Sequence, residues 1–165
     1  FWNDDQLVVA FDCDDGSLVA ATSTGRERDV DPQDRVELFL WSGRPEDAYY
    51  CIEVSARGAV HDYRARFYRQ FDDGWTPAGM KTAVRERAGG YRVEVLIPKA
   101  DLIAAGFRLE GGQVWRAGLF RADFSPGRPD APDWITWVDA RTPQPDFHVA
   151  GAFGTVVLGR WRAAR

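Results

Sequence analysis

Four residue types are scarce in this 165-residue chain, and each scarcity narrows what the chain can be. Cysteine occurs only at Cys13 and Cys51, so one disulfide or none can form. Methionine occurs once, at Met80, and histidine twice, at His61 and His148, which leaves a single countable Met/His pair for a haem iron, Met80 with His148. Lys81 and Lys99 are the only lysines, and the arginines are scattered among aspartates rather than clustered. With a formal net charge of −4, the chain lacks the basic face that nucleic-acid binding requires. It also has no run of about 18 apolar residues, so neither a membrane span nor a membrane partner is expected. The opening stretch FWNDDQLVV has no basic segment leading into an apolar one and does not read as a signal peptide.

What is present is a chain of one-domain size, 1–165, that is 45 % hydrophobic and able to bury a core without metal or disulfide staples. Short alternating runs are separated by Gly, Pro and Asp clusters. Gln6–Phe11 ends at the turn signal DCDDG, and Ser17–Thr22 follows. In RVELFLW (35–41), Val36, Leu38 and Leu40 share one face while Glu37, Phe39 and Trp41 share the other. YYCIEVS (49–55) repeats that arrangement, with Tyr50, Ile52 and Val54 set against Tyr49, Cys51 and Glu53. Ala59–Arg66 is a weaker run.

Lys81–Arg87 and Tyr91–Ile97 flank AGG as a hairpin, and KADLIAAG reads as a short helix closed by Gly106. Val114–Arg121 and Thr155–Leu158 complete the set, with Ala122–Asp146 expected as a long functional loop rich in Pro and Asp. About nine strands and one short helix predict an all-β fold, an antiparallel β-sandwich of immunoglobulin-like or jelly-roll-like type. A sheet face that carries aromatics and carboxylates together is either a solvated surface or a binding face.

Four segments occur in an informative order: LVVAFDCDDGSL, DPQDRVELFLW, YRVEVLIPKADL and PDFHVAGAFGTVVL. Together they resemble the landmarks of family 9 carbohydrate-binding modules and their DOMON-like relatives, over nearly the whole chain. The resemblance implies a β-sandwich that binds oligo- or polysaccharide without cutting it and needs no cofactor beyond structural calcium. It also implies an extracytoplasmic or secreted setting, with a fused or associated glycoside hydrolase as partner. In xylanase-attached members two Trp side chains hold the sugar, among carboxylate, guanidinium and amide groups. Sugar C–H faces stack on aromatic rings, and the hydroxyls need directional donors and acceptors in place of water.

Carried onto this chain, the acidic site residue is Glu37, and Glu53 stands where an Arg is expected on the next strand. Gly118 replaces an amide, and Phe147-His148 replaces the second Trp. The implied ligand surface therefore differs from the xylanase-attached type.

His148 would offer a donor and an acceptor on an aromatic rim, or would simply anchor the last strand through a hydrogen bond. Of Trp134 and Trp137, whose odd spacing sets them on opposite faces, Trp137 is favoured because it leads towards His148. Trp41 shares the face of Glu37, whereas Trp2 and Trp115 read as core. Arg121 is expected to pair with Glu37 or Glu53 across the sheet. Asp12, Asp14 and Asp15 form the candidate calcium cluster, with Asp29, Asp31 and Asp34 as a second acidic group. Two further readings are a haem held between Met80 and His148, as in some DOMON-like relatives, and a glycosidase using Glu37 and Glu53 as paired carboxylates.

Overall fold

The computed structural model describes residues 1–21 and 25–159. Its strands are β1 (Gln6–Asp14), β2 (Arg35–Trp41), β3 (Tyr49–Ser55), β4 (Val60–Arg66) and β5 (Gln70–Asp72), followed by β6 (Lys81–Arg87) and β7 (Gly90–Pro98). After helix α1 (Lys99–Ala104) come β8 (Val114–Ser125), β9 (Arg128–Thr136) and β10 (Gly154–Val157). Every strand pairing is antiparallel, in a three-stranded sheet β1-β7-β6 and a seven-stranded sheet β10-β8-β2-β3-β4-β5, with β9 beside β10 on the outer edge of β8. The sandwich expected from the alternation is therefore the fold. Among the described residues no helix is long and apolar enough to cross a membrane.

The core between the sheets comes from one parity of each strand: Val36, Leu38 and Leu40 on β2, Ile52 and Val54 on β3, and Val93, Val95 and Ile97 on β7. All seven residues of β2 are buried, so its opposite parity is covered as well. That second face holds an aromatic cluster of Phe39, Trp41, Tyr49, Tyr63 and Phe120, roofed by Phe147 and Phe153. Gly90 stands where β7 meets β1, and a Cβ there would lie 2.0 Å from the carbonyl oxygen of Cys13, so only glycine allows the strands this close.

Two expectations are corrected, and one question left open by the sequence is answered. Residues 17–21 form no strand, and the remainder of Ser17–Thr22 lies outside the described residues. The reason is local: the Asp34 carboxylate accepts from the Val19 N–H, and Gln33 Oε1 accepts from the Ala21 N–H at 3.0 Å, so side chains take the place of a strand partner. The supposed long loop 122–146 begins as the β8–β9 hairpin, turning at Pro126-Gly127. Pro129 and Pro132 are tolerated because β9 is an edge strand with an irregular register between Ser125 and Asp123 of β8. Finally, Cys13 and Cys51 are both free, each buried in a different one of the two clusters, so no bridge joins them.

Candidate functional site

The outer face of the seven-stranded sheet grades from ionic to aromatic along the strands. Glu37 pairs with Glu53, and Glu53 with His61, which sets three titratable side chains in one row. The next row holds Phe39, Cys51 and Tyr63, and the one after it Trp41, Tyr49 and Ala65. On the other side of the ionic row, Arg35, Ala122 and Trp134 are register partners across β2, β8 and β9.

Arg35 is the hub of the ionic end. Its Nε donates to Glu53 Oε2 at 2.8 Å, Nη2 lies 2.8 Å from Glu37 Oε1, and Nη1 donates to the Asp31 carbonyl. The guanidinium also lies 5.6 Å from the Trp134 ring centroid, a cation–π contact. Tyr63 donates its hydroxyl to Glu53 Oε1 at 2.7 Å, and His61 Nδ1 lies 3.1 Å from Asp31 Oδ1. Arg35, Glu37 and Glu53 are all nearly fully buried. Burial, then the charge of Glu53, pushes the Glu37 carboxyl well above the usual carboxylate range, against the pull of Arg35.

This floor opens into a cleft of about 550 Å³. One wall is the β8–β9 hairpin, through Phe124, Pro129, Pro132 and Trp134. A second is the segment carrying Phe147 and His148, and the far rim is formed by Arg28, Asp73, Arg69 and Phe71. The volume falls within the range of small-molecule sites.

Of the expected site residues, Glu37, Glu53, Phe147 and His148 converge on this cleft. Phe147 stacks on Phe120 with centroids 4.1 Å apart and planes 7° apart, while Trp134 meets it edge-on at 5.3 Å. The ring of Phe120 occupies the space a side chain at 118 would need, since a Cβ on Gly118 would lie 2.3 Å from it. That contact accounts for glycine at the expected amide position.

His148 anchors its segment by hydrogen bonds and stands beside the cleft. Its Nδ1 lies 3.0 Å from the Tyr49 hydroxyl and its backbone N–H donates to Asp146 Oδ1 at 2.9 Å, yet the ring also lines the cleft. Burial, aided by the charge of Arg69, lowers its pKa to about 4, so it is the neutral imidazole at physiological pH.

Three site residues lie elsewhere. Arg121 is the register partner of Val36, not Glu37, so it points to the inter-sheet side. There it pairs with Asp15 at 3.1 Å and Asp123 at 3.2 Å and covers the Tyr91 ring. Trp41 is buried against Phe67 and Phe153 and donates Nε1–H to the Arg44 carbonyl at 3.0 Å, so it supports the cluster without lining the cleft. Trp137 lies past the end of β9, half exposed, and its ring packs over Gly154 of β10; Trp134 is the cleft's tryptophan.

The calcium candidates divide. Asp12 and Asp14 are exposed and pair with Arg92 and Arg87, whereas Asp15 converges with Asp34 and Asp123. Burial raises the Asp34 pKa to about 6 despite the N–H groups of Val19 and Phe124, and Arg121 is the cation paired with Asp15 and Asp123.

The haem pair does not form. Met80 packs against the core between the sheets, while His148 lies on the opposite face of the larger sheet. Glu37 and Glu53, the imagined catalytic pair, share one guanidinium.

Arg35, His61 and Tyr63 were missed by the sequence reading, though two-residue periodicity carries the signal. Arg35 stands two residues before Glu37 and therefore shares its face.

The fold is a β-sandwich with an aromatic-walled, ion-floored cleft on one sheet face. The chain belongs to the carbohydrate family 9 binding domain-like family, whose sequence profile matches residues 1–160. This is a family of non-catalytic binding modules.

Solved structures share the fold. A candidate carbohydrate-binding protein of Bacteroides uniformis superposes with a TM-score of 0.74 at 16 % identity, over 93 % of this chain and 73 % of that one. A family 9 carbohydrate-binding module of Caldicellulosiruptor kristjanssonii in complex with cellotriose gives 0.65 at 21 %, over 97 % and 73 %. The module from that organism in complex with glucose gives 0.60 at 19 %, over 99 % and 76 %. No curated protein matches the chain in sequence.

Proposed function

We propose that this chain binds oligo- or polysaccharide in the cleft between Trp134, His148 and the Arg35–Glu37–Glu53 floor, as a non-catalytic accessory to polysaccharide or glycan metabolism. The observation that carries the reading is Trp134. It is 40 % exposed, stands edge-on against Phe147 and is held over the Arg35 guanidinium, so it presents a fixed ring beside a charged floor. A sugar needs both parts: the ring takes its C–H face, and the floor and neutral His148 take its hydroxyls.

The ligands of the Caldicellulosiruptor structures make cello-oligosaccharides and glucose the first compounds to try. Isothermal titration against an oligosaccharide panel tests the reading. Binding that Trp134→Ala weakens supports it, and no heat from any sugar overturns it.

In the same reading the module acts outside the cytoplasm beside a glycoside hydrolase, and Asp15, Asp34 and Asp123 hold a structural calcium. A calcium there would tie the end of β1, through Asp15, to Asp34 and to Asp123 of β8.

A further inference from the structure

Two aromatic rings stand half exposed in the cleft, on strands at opposite sides of the sheet. Trp134 of β9 is 40 % exposed, Phe71 of β5 is 42 % exposed, and both line the cleft. Phe71 shares the sheet face of Trp134, because its register partner Ala65 belongs to the outer aromatic cluster. Each ring is braced at nearly a right angle by one of two adjacent residues. Phe147 meets Trp134 at 5.3 Å and 85°, and His148 meets Phe71 at 5.0 Å and 81°. Tyr63 adds a second edge contact to Phe71, at 5.6 Å and 84°. Each ring also has an ion pair beside it. Arg35, bound to Glu53, lies against Trp134, while Asp73, two residues beyond Phe71, is bridged by Arg28 at the rim.

β9 and β5 are five ladders apart, on the order of 24 Å at the usual strand spacing. The bracing groups keep the rings apart as well: Phe147 stacks on Phe120 of β8, whereas Tyr63 belongs to β4, three ladders away. One sugar ring held between two aromatic faces needs them only about 8 Å apart, two van der Waals contacts. Trp134 and Phe71 therefore serve different sugar units. We infer, on the sugar-binding reading above, that Phe71 is a second stacking platform and that the cleft selects an oligosaccharide reaching from Trp134 to Phe71 over any single sugar. The second ring adds affinity only for a ligand that touches both, since its contact is then made within one complex. The cleft's arginines, Arg28, Arg35 and Arg69, are held by Asp73, Glu53 and Asp146, so they offer the hydroxyls along the way fixed hydrogen-bonding groups.

The test is calorimetric titration of the protein with glucose, xylose and mannose, each against its β-1,4-linked trimer. For the sugar that binds, the trimer is expected to bind at least tenfold tighter than the monomer, a margin beyond the statistical advantage of several equivalent units. Phe71→Ala should cut that margin to threefold or less, and Phe71→Tyr, which keeps a ring at the position, should retain it. A trimer that binds no tighter than its monomer overturns the second platform and leaves sugar binding standing. A margin that survives Phe71→Ala overturns the assignment to Phe71. No binding by any of these sugars overturns the underlying reading as well.

Discussion

Arg35 Nε and Glu53 Oε2 meet at 2.8 Å across the β2–β3 ladder, with both side chains more than nine-tenths buried. Because Glu37 shares the guanidinium, Arg35→Met leaves two buried carboxylates facing each other. Removing one partner of a buried ion pair costs about 3–5 kcal/mol. Urea denaturation of Arg35→Met should show a loss of that order at neutral pH. Stability equal to the parent protein would mean that neither carboxylate depends on the guanidinium.

His148 should make the protein acid-sensitive. Its folded pKa of about 4 lies below the ordinary 6.5, so above pH 6.5 neither folded nor unfolded chain carries the proton and the full stability is present. As the pH falls from 6.5 towards 4, the unfolded chain takes up the proton and the folded one refuses it. Stability drains over that window by an amount on the order of 3 kcal/mol. His61, whose pKa is raised by its Asp31 partner against the effect of burial, titrates in the opposite sense. The quantity to measure is therefore the difference from His148→Gln, in melts between pH 4 and 7. A difference independent of pH would remove His148 as the titrating group.

The two tryptophans of PDWITWVD should separate cleanly in binding. Trp134→Ala removes the cleft wall and is expected to weaken sugar binding at least tenfold, which is about 1.4 kcal/mol. Trp137→Ala lies outside the cleft and should leave affinity within twofold, as measured by titration with whichever oligosaccharide binds. The reverse pattern would relocate the site to the β10 edge.

Gly154 and Trp137 should be coupled in stability. A Cβ on Gly154 would stand 2.6 Å from the Trp137 ring and 2.9 Å from Val138 Cγ2. Overpacking of this kind costs about 1–3 kcal/mol. Gly154→Ala is expected to lose that much, and part of the loss should return when Trp137→Ala is added, a positive interaction in a double-mutant cycle. Strict additivity would mean that the ring is not what excludes the methyl group.

If Asp15, Asp34 and Asp123 hold calcium, the protein should melt higher in calcium than in EDTA. At a hundredfold excess over Kd the gain is about 2.7 kcal/mol, or about 8 °C for a chain of this size. Asp123→Asn should abolish the shift, whereas Asp12→Asn, at an exposed position paired with Arg92, should not. An identical melt in calcium and EDTA would end the assignment.

Much of the fold was legible along the chain because alternation is a local property. RVELFLW and YYCIEVS declare their two faces without reference to any other segment, and those faces are the ones observed. Glu37 and Glu53 follow from that pattern as members of one polar and aromatic face, as do Phe147 and His148 from their place before the closing strand.

Register and roofing were decided by the tertiary structure. Which side of the sheet Arg121 occupies depends on the antiparallel register of β8 against β2, strands far apart in sequence. A slip of one residue would exchange Val36 for Glu37 as its partner. The choice of Trp134 over Trp137 depends on β9 reaching Thr136 as an edge strand, despite prolines that read locally as loop. The covering of the outer face likewise required Phe147 and Phe153 to return onto strands about a hundred residues earlier, against Phe39 and Tyr49. A side chain's parity within its strand is written in neighbouring residues, but the group it meets is set by long-range pairing and burial.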